Sequence, residues 1–189
     1  MLRILTIVII CATLIGCKEE TYYPKPHGHF RISFPDTVEM KAYEGSCNYT
    51  YEYPFFAVVQ DKPNCNQDIY FPYYNAVLHI TSIKFDNVGN NNLFYHTEYS
   101  RKLAYEHRVK ADAINESIFT NDSSRVYGVA YEIIGNVASN YQFFLTDSTD
   151  NIFRGSLYFN VRPNIDSIRP VLSFLKENIE GMIETFDWK

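Results

Sequence analysis

Ile152-Phe153-Arg154-Gly155-Ser156-Leu157-Tyr158-Phe159-Asn160-Val161, closed by Arg162-Pro163-Asn164, is the last of three β-rich runs that decide the fold. Residues 125–134 and 138–146 precede it, each dense in Tyr, Phe, Val and Ile. Gly135-Asn136 and residues 147–151 supply the turns, because Gly, Asn and Asp enter turn conformations at little cost. Connections this short force neighbouring strands to run antiparallel. Asp147-Ser148-Thr149-Asp150 can also be drawn as an acidic ion loop, but its place between two strands favours a hairpin turn.

Downstream, Ile168, Val171, Leu172, Leu175, Ile179, Met182 and Ile183 recur at helical spacing and predict a helix over residues 167–185. Asp166 or Ser167 is the expected N-cap, with Pro170 in the first turn, where its missing N–H is tolerated. Gly181 interrupts this helix and marks a close contact or a late kink. Upstream, residues 93–110 form a second amphipathic stretch. Tyr95, Tyr99 and Leu103 fall four apart, with Ala104 and His107 beside them, and this stripe is expected to lie on the sheet.

Residues 86–92, rich in Asn, read as a loop, and residues 76–84 and 113–120 as strands. Shorter extended runs are expected at 67–71, 55–60, 48–53 and 29–34, several of them stopped by proline. The fold class is therefore α+β: an antiparallel β-sheet packed with two main helices. The element order resembles the fold shared by the PsbP family and Mog1, which implies a non-enzymatic accessory module.

The first residues have a different character. Arg3 is the only charge ahead of Cys17, and residues 4–15 are almost wholly apolar. A basic start and a short apolar run make a secretory signal, too short for the roughly 20 apolar residues of a spanning helix. Leu14-Ile15-Gly16-Cys17 then reads as a lipobox: the small Gly16 admits the peptidase, and the Cys17 thiol takes the lipid. Residues 1–16 are the expected signal peptide, residues 17–27 a polar, proline-bearing lipidated tether, and residues 28–189 a single globular domain. Each buried acyl methylene contributes about 0.8 kcal/mol, so two or more chains (palmitate among them) anchor the protein stably.

Bulk numbers agree with export. The chain has 189 residues and a formal net charge of −5, and loss of Arg3 with the signal makes the mature form one unit more acidic. That balance argues against nucleic acid as a partner. Of four cysteines, only Cys47 and Cys65 remain in the globular part after Cys11 and Cys17 are accounted for. In an oxidising compartment they most simply form one disulfide, with two free thiols or a metal pair as the alternatives. Sixteen Tyr and fourteen Phe exceed what a surface needs, so many must fill a core while some Tyr line a partner surface.

Chemistry-bearing spacings are sparse. His27-Gly28-His29 offers two imidazoles without a nominated third ligand, and two exposed histidines are the plainer interpretation. His79 lies in a strand, His107 beside the helical stripe, and His96 on the solvent side of that helix. Asp112 and Glu116 pair on paper only. No nucleophile elbow, phosphate loop or zinc-protease motif occurs, so no catalytic residue, metal ligand or cofactor is expected.

Several strings carry a family likeness. They include Pro24-Lys25-Pro26-His27-Gly28-His29-Phe30-Arg31, Tyr51-Glu52-Tyr53-Pro54, Arg101-Lys102-Leu103-Ala104-Tyr105 and Gln142-Phe143-Phe144-Leu145-Thr146-Asp147-Ser148. With residues 154–164 and the ending Ile183-Glu184-Thr185-Phe186-Asp187-Trp188-Lys189, the mature chain resembles the gliding-motility lipoprotein GldD family. The two globular cysteines fall where that family carries them. The resemblance implies an outer-membrane-associated lipoprotein of the cell envelope, needed for gliding and the linked type IX secretion machinery, acting through protein–protein contacts without enzymatic activity or cofactor. The alternative is a small-ligand or metal-ion-binding envelope lipoprotein. Tyr158 to Arg162 with the loop to Asn164 is the candidate contact stretch, since it joins aromatic and Arg character at a strand exit.

Overall fold

The computed structural model describes residues 32–89 and 91–189. Its centre is a seven-stranded sheet of order β4-β5-β6-β10-β9-β8-β7, every neighbouring pair antiparallel. The strands are β4 (Val58–Asp61), β5 (Gln67–Phe71), β6 (Ala76–Lys84), β7 (Ala111–Asn121), β8 (Val126–Gly135), β9 (Ser139–Thr146) and β10 (Asn151–Phe159). The three β-rich runs at residues 125–134, 138–146 and 152–161 are β8, β9 and β10, and together with β7 they form a meander. β10 then pairs with β6, so the chain between β6 and β7 has to cross the sheet.

That crossing is helix α1 (Leu93–Tyr105), followed by a 3-10 turn at Glu106–Val109. Asn92 caps α1 by accepting the Tyr95 N–H at 2.9 Å. The second helix, α2 (Ile165–Glu184), lies on the opposite face. The strand pleat explains the two-sided arrangement, because alternate residues of one strand point to opposite faces. In β10, Phe153 and Leu157 face α2 while Ile152 faces α1. In β9, Tyr141, Phe143 and Leu145 face α2 while Phe144 faces α1.

All seven apolar positions expected on α2 are buried. Its start differs from expectation. The N-cap is Asn164, and the Ile165 N–H is taken by the Asn136 side chain at 2.8 Å. Asp166 and Ser167 lie within the first turn, and Pro170 sits in the second, where it removes a helical N–H donor. Gly181 makes no close contact: a Cβ built there would meet only the Met40 terminal methyl, at 3.9 Å.

The expected strand at residues 29–34 is not formed in its described part. Residues 32–35 carry no strand, and the Phe34 ring instead packs on Phe174 of α2 at 4.6 Å between centroids. Its residues 29–31 lie outside the described residues. The expected run at 48–53 breaks at the buried Tyr51 into β2 (Tyr49–Thr50) and β3 (Glu52–Pro54). These pair with β11 (Asp187–Trp188) and β1 (Met40–Ala42), respectively.

The aromatic surplus explains itself in the core on the α2 face. Tyr43 and Tyr51 stack at 5.1 Å, and Tyr49, Phe153 and Phe186 close round them. Buried hydroxyls need partners, and each tyrosine reaches one: Tyr43 donates to Asp61 at 2.8 Å, Tyr49 to the Cys65 carbonyl at 2.6 Å, and Tyr51 to Gln67 at 2.7 Å. Burial, and then Asp61, pushes the Tyr43 hydroxyl up to about 12, so it stays protonated and donating. A Cys47–Cys65 disulfide, with Cα atoms 5.7 Å apart, ties the β1–β2 side of this cluster to the entry of β5.

Candidate interaction surface

Helix α1 sits differently from its expected stripe. Ser100 and Ala104 are buried, with Leu93 and Thr97 partly so, while Tyr95 and Tyr99 are half-exposed. The physical reason is size: small side chains let the helix lie close on Phe85, Tyr131 and Phe144. The large rings are thereby turned outward. Phe94 is 76% exposed, and Tyr95 stacks on Tyr99 at 6.2 Å with rings nearly parallel.

Cations interleave with these rings. The Arg154 guanidinium, reaching up from β10, lies 5.3 Å from the Tyr99 ring centroid, and Arg101 lies 5.6 Å from that of Tyr105. Arg101 also pairs with Glu98 at 2.7 Å. Burial pushes the Arg154 guanidinium below its ordinary value, and among the described residues no carboxylate forms an ion pair with it. Asn92, Phe94, Tyr95, Tyr99 and Lys102 line an open recess of about 600 Å³ on the outer face. Aromatic side chains with Arg are the composition enriched at protein interfaces.

His96 is not on the solvent side as expected. It stacks on Phe85 at 5.2 Å, meets Asn91 at 2.8 Å, and is held below its usual value by burial and by nearby Arg154. His107 is partly buried in the 3-10 turn. His79 points outward on β6, where its Nδ1 meets the buried Asp68 carboxylate at 2.6 Å. Tyr70 donates to the same carboxylate at 3.0 Å, and Lys62 forms an ion pair with it. Burial opposes ionisation of Asp68, but these bonds outweigh it and hold the carboxyl below its ordinary value.

The other sequence candidates separate. Asp112 and Glu116 both lie on β7, and Glu116 accepts a bond from Tyr105 at 2.8 Å. Asp147 accepts the backbone N–H of Thr149, Asp150 and Asn151 at 2.8 to 3.1 Å, which makes residues 147–151 a side-chain-closed hairpin turn. Tyr158 and Phe159 end β10 half-buried, and residues 160–164 are exposed. Among the described residues no three His, Cys, Asp or Glu side chains gather as a metal set. Cys17 and the His27/His29 pair lie outside the described residues.

A family model described as gliding motility lipoprotein GldD matches residues 19–188, nearly the whole chain. The chain belongs to the gliding motility lipoprotein GldD family. It is thus a gliding-motility lipoprotein of the cell envelope, and the family is not a known enzyme class. No helix among the described residues is long and apolar enough to cross a membrane. No curated protein matches the chain.

Proposed function

We propose that the protein is lipidated on Cys17 after residues 1–16 are removed, and that it supports gliding from the outer membrane. In this reading, residues 17–27 tether a single domain that acts on the linked type IX secretion machinery through protein–protein contacts, without catalysis or cofactor. The carrying observation is the outer face of α1, where Phe94, Tyr95 and Tyr99 stand exposed among Arg101, Lys102 and Arg154. A folded domain gains nothing by displaying three adjacent rings to water, and such a patch marks a contact site.

The test is a crosslinked pull-down from native envelopes with the lipidated protein and a Cys17→Ala version. Capture of motility or secretion components by the anchored form alone supports the proposal. Equal capture by both forms removes the role assigned to the anchor, and absence of any protein partner removes the accessory role.

A further inference from the structure

The side of the sheet that carries α1 also carries a row of polar side chains. Strand alternation turns Asp68 of β5, His79 and Thr81 of β6, Arg154 and Ser156 of β10, and Gln142 of β9 to this side, away from the α2 core. Gln142, Ser156, His79 and Asp68 are in register across four neighbouring strands, and Arg154 pairs with Thr81 one place along the same face. Such neighbours lie about 5 Å apart across strands and about 7 Å apart along them, so Arg154, Thr81, Ser156 and Gln142 border one small patch.

These groups lack partners among the described residues. The half-buried Arg154 guanidinium donates to no oxygen there and meets only the Tyr99 ring, which covers one of its faces. The Gln142 side chain is 5% exposed, yet its amide bonds to nothing there. The enclosed side-chain polar atom without a partner is Trp188 Nε1, so the Gln142 amide keeps access to the outside of the sheet. The half-buried Ser156 and Thr81 hydroxyls are also unpaired. Leaving buried donors unpaired costs free energy, and most more than for a charged group. The acids of this side are engaged elsewhere: Asp68 by Lys62, His79 and Tyr70, Glu116 by Tyr105, and Glu98 of α1 by Arg101. Lys62 offsets Asp68, which leaves Arg154 the uncompensated charge among the side chains of β5, β6, β10 and β9 on this face.

We infer that Arg154, with the Gln142 amide and the Ser156 hydroxyl, forms a binding site for a single carboxylate group. The planar guanidinium sets two N–H donors against two carboxylate oxygens. The amide N–H of Gln142 and the hydroxyl of Ser156 donate to the lone pairs that remain. One guanidinium offsets one negative charge, which suits a carboxylate better than a dianionic phosphate. His79 continues the row but is turned to Asp68 and takes no part. Tyr99 walls the site on the α1 side, but the site is separate from the ring contacts proposed for the outer face of α1, and either can fail alone. The carboxylate belongs to a free organic acid or to a protein, as a chain end or an acidic side chain.

The experiment follows the Arg154 Nε–H and Gln142 side-chain amide signals by NMR in the isotope-labelled full chain. N-acetylglycine, its neutral amide and inorganic phosphate are titrated at constant ionic strength. We expect N-acetylglycine to move both signals together and saturably, and the neutral amide to move neither. Arg154→Met, its fold checked by the unchanged backbone spectrum, should weaken binding by about tenfold or more, and Ser156→Ala by less. No saturable shift, equal binding by Arg154→Met, or tighter binding of phosphate overturns the site. The source is read in native envelopes with an Arg154→Lys variant and a carbodiimide, which joins an amine to a carboxylate lying against it. A small-acid adduct at position 154 assigns a free ligand, and a bond to another protein assigns a protein carboxylate. A bond to an acid of the same chain, or none, overturns the proposal and leaves the contact role of α1 untouched.

Discussion

The Arg154 guanidinium lies 5.3 Å from the centroid of the Tyr99 ring, joining the middle of β10 to the outer face of α1. A partly buried cation over an aromatic face couples by about 1 kcal/mol. A double-mutant cycle of Tyr99→Ala and Arg154→Met, followed by denaturant unfolding, should return a coupling of that size. Arg154→Met alone should cost little stability, because an apolar side chain of similar length replaces a cation that burial already disfavours. Additive effects in the cycle would show that the two side chains act independently.

This contact also shows where sequence reasoning reached its limit. Strand runs of alternating or β-rich residues and the apolar face of α2 were legible, since large apolar side chains mark a period by themselves. The seating of α1 was not. A search for large apolar residues selects Tyr95, Tyr99 and Leu103 with Ala104 beside them; Ala104 is buried, but the helix also buries Ser100 and leaves Tyr95 and Tyr99 half-exposed, because small residues allow close approach. A register of small residues at Ser100 and Ala104 was the available signal. Arg154 and Tyr99 are 55 positions apart, and no local pattern joins them.

Two glycines should respond oppositely to alanine. A Cβ at Gly155 would fall 2.3 Å from the Phe143 ring, its cross-strand partner in the core, so Gly155→Ala should destabilise by about 1–3 kcal/mol through overpacking. At Gly181 the nearest atom is at 3.9 Å, and Gly181→Ala should stabilise α2 by up to about 1 kcal/mol. Thermal unfolding of the two variants would check both signs.

The disulfide encloses a sequence separation of 18 residues. Paired Cys47→Ser and Cys65→Ser substitutions should lower stability by about 3 kcal/mol in the chain-entropy model. Reduction of the wild-type protein should reproduce that loss, whereas an unchanged unfolding midpoint would mean that the bridge leaves the unfolded chain unconstrained.

Acid should weaken the fold through Asp68 and Asp147. Burial opposes ionisation at both, but Asp68 is held below its ordinary value by Lys62, His79 and Tyr70, and Asp147 by Asn151 and the turn amides. A carboxyl lowered in the folded state adds stability above its unfolded pKa, and that contribution drains as pH falls through the folded one. Stability should therefore fall from about pH 4 downward. Asp68→Asn should be less stable than wild type at neutral pH and lose less on acidification. Equal acid sensitivity in the variant would assign the loss to other groups.

The most direct measurement of the contact role is colony spreading by a gliding host whose own family member has been replaced by a Phe94→Asp, Tyr95→Asp variant. Both side chains are exposed, so the variant should fold and reach the membrane fraction at wild-type level. We expect spreading to be lost. Full spreading at normal protein level would contradict the assignment of the outer face of α1 as the surface through which this lipoprotein acts.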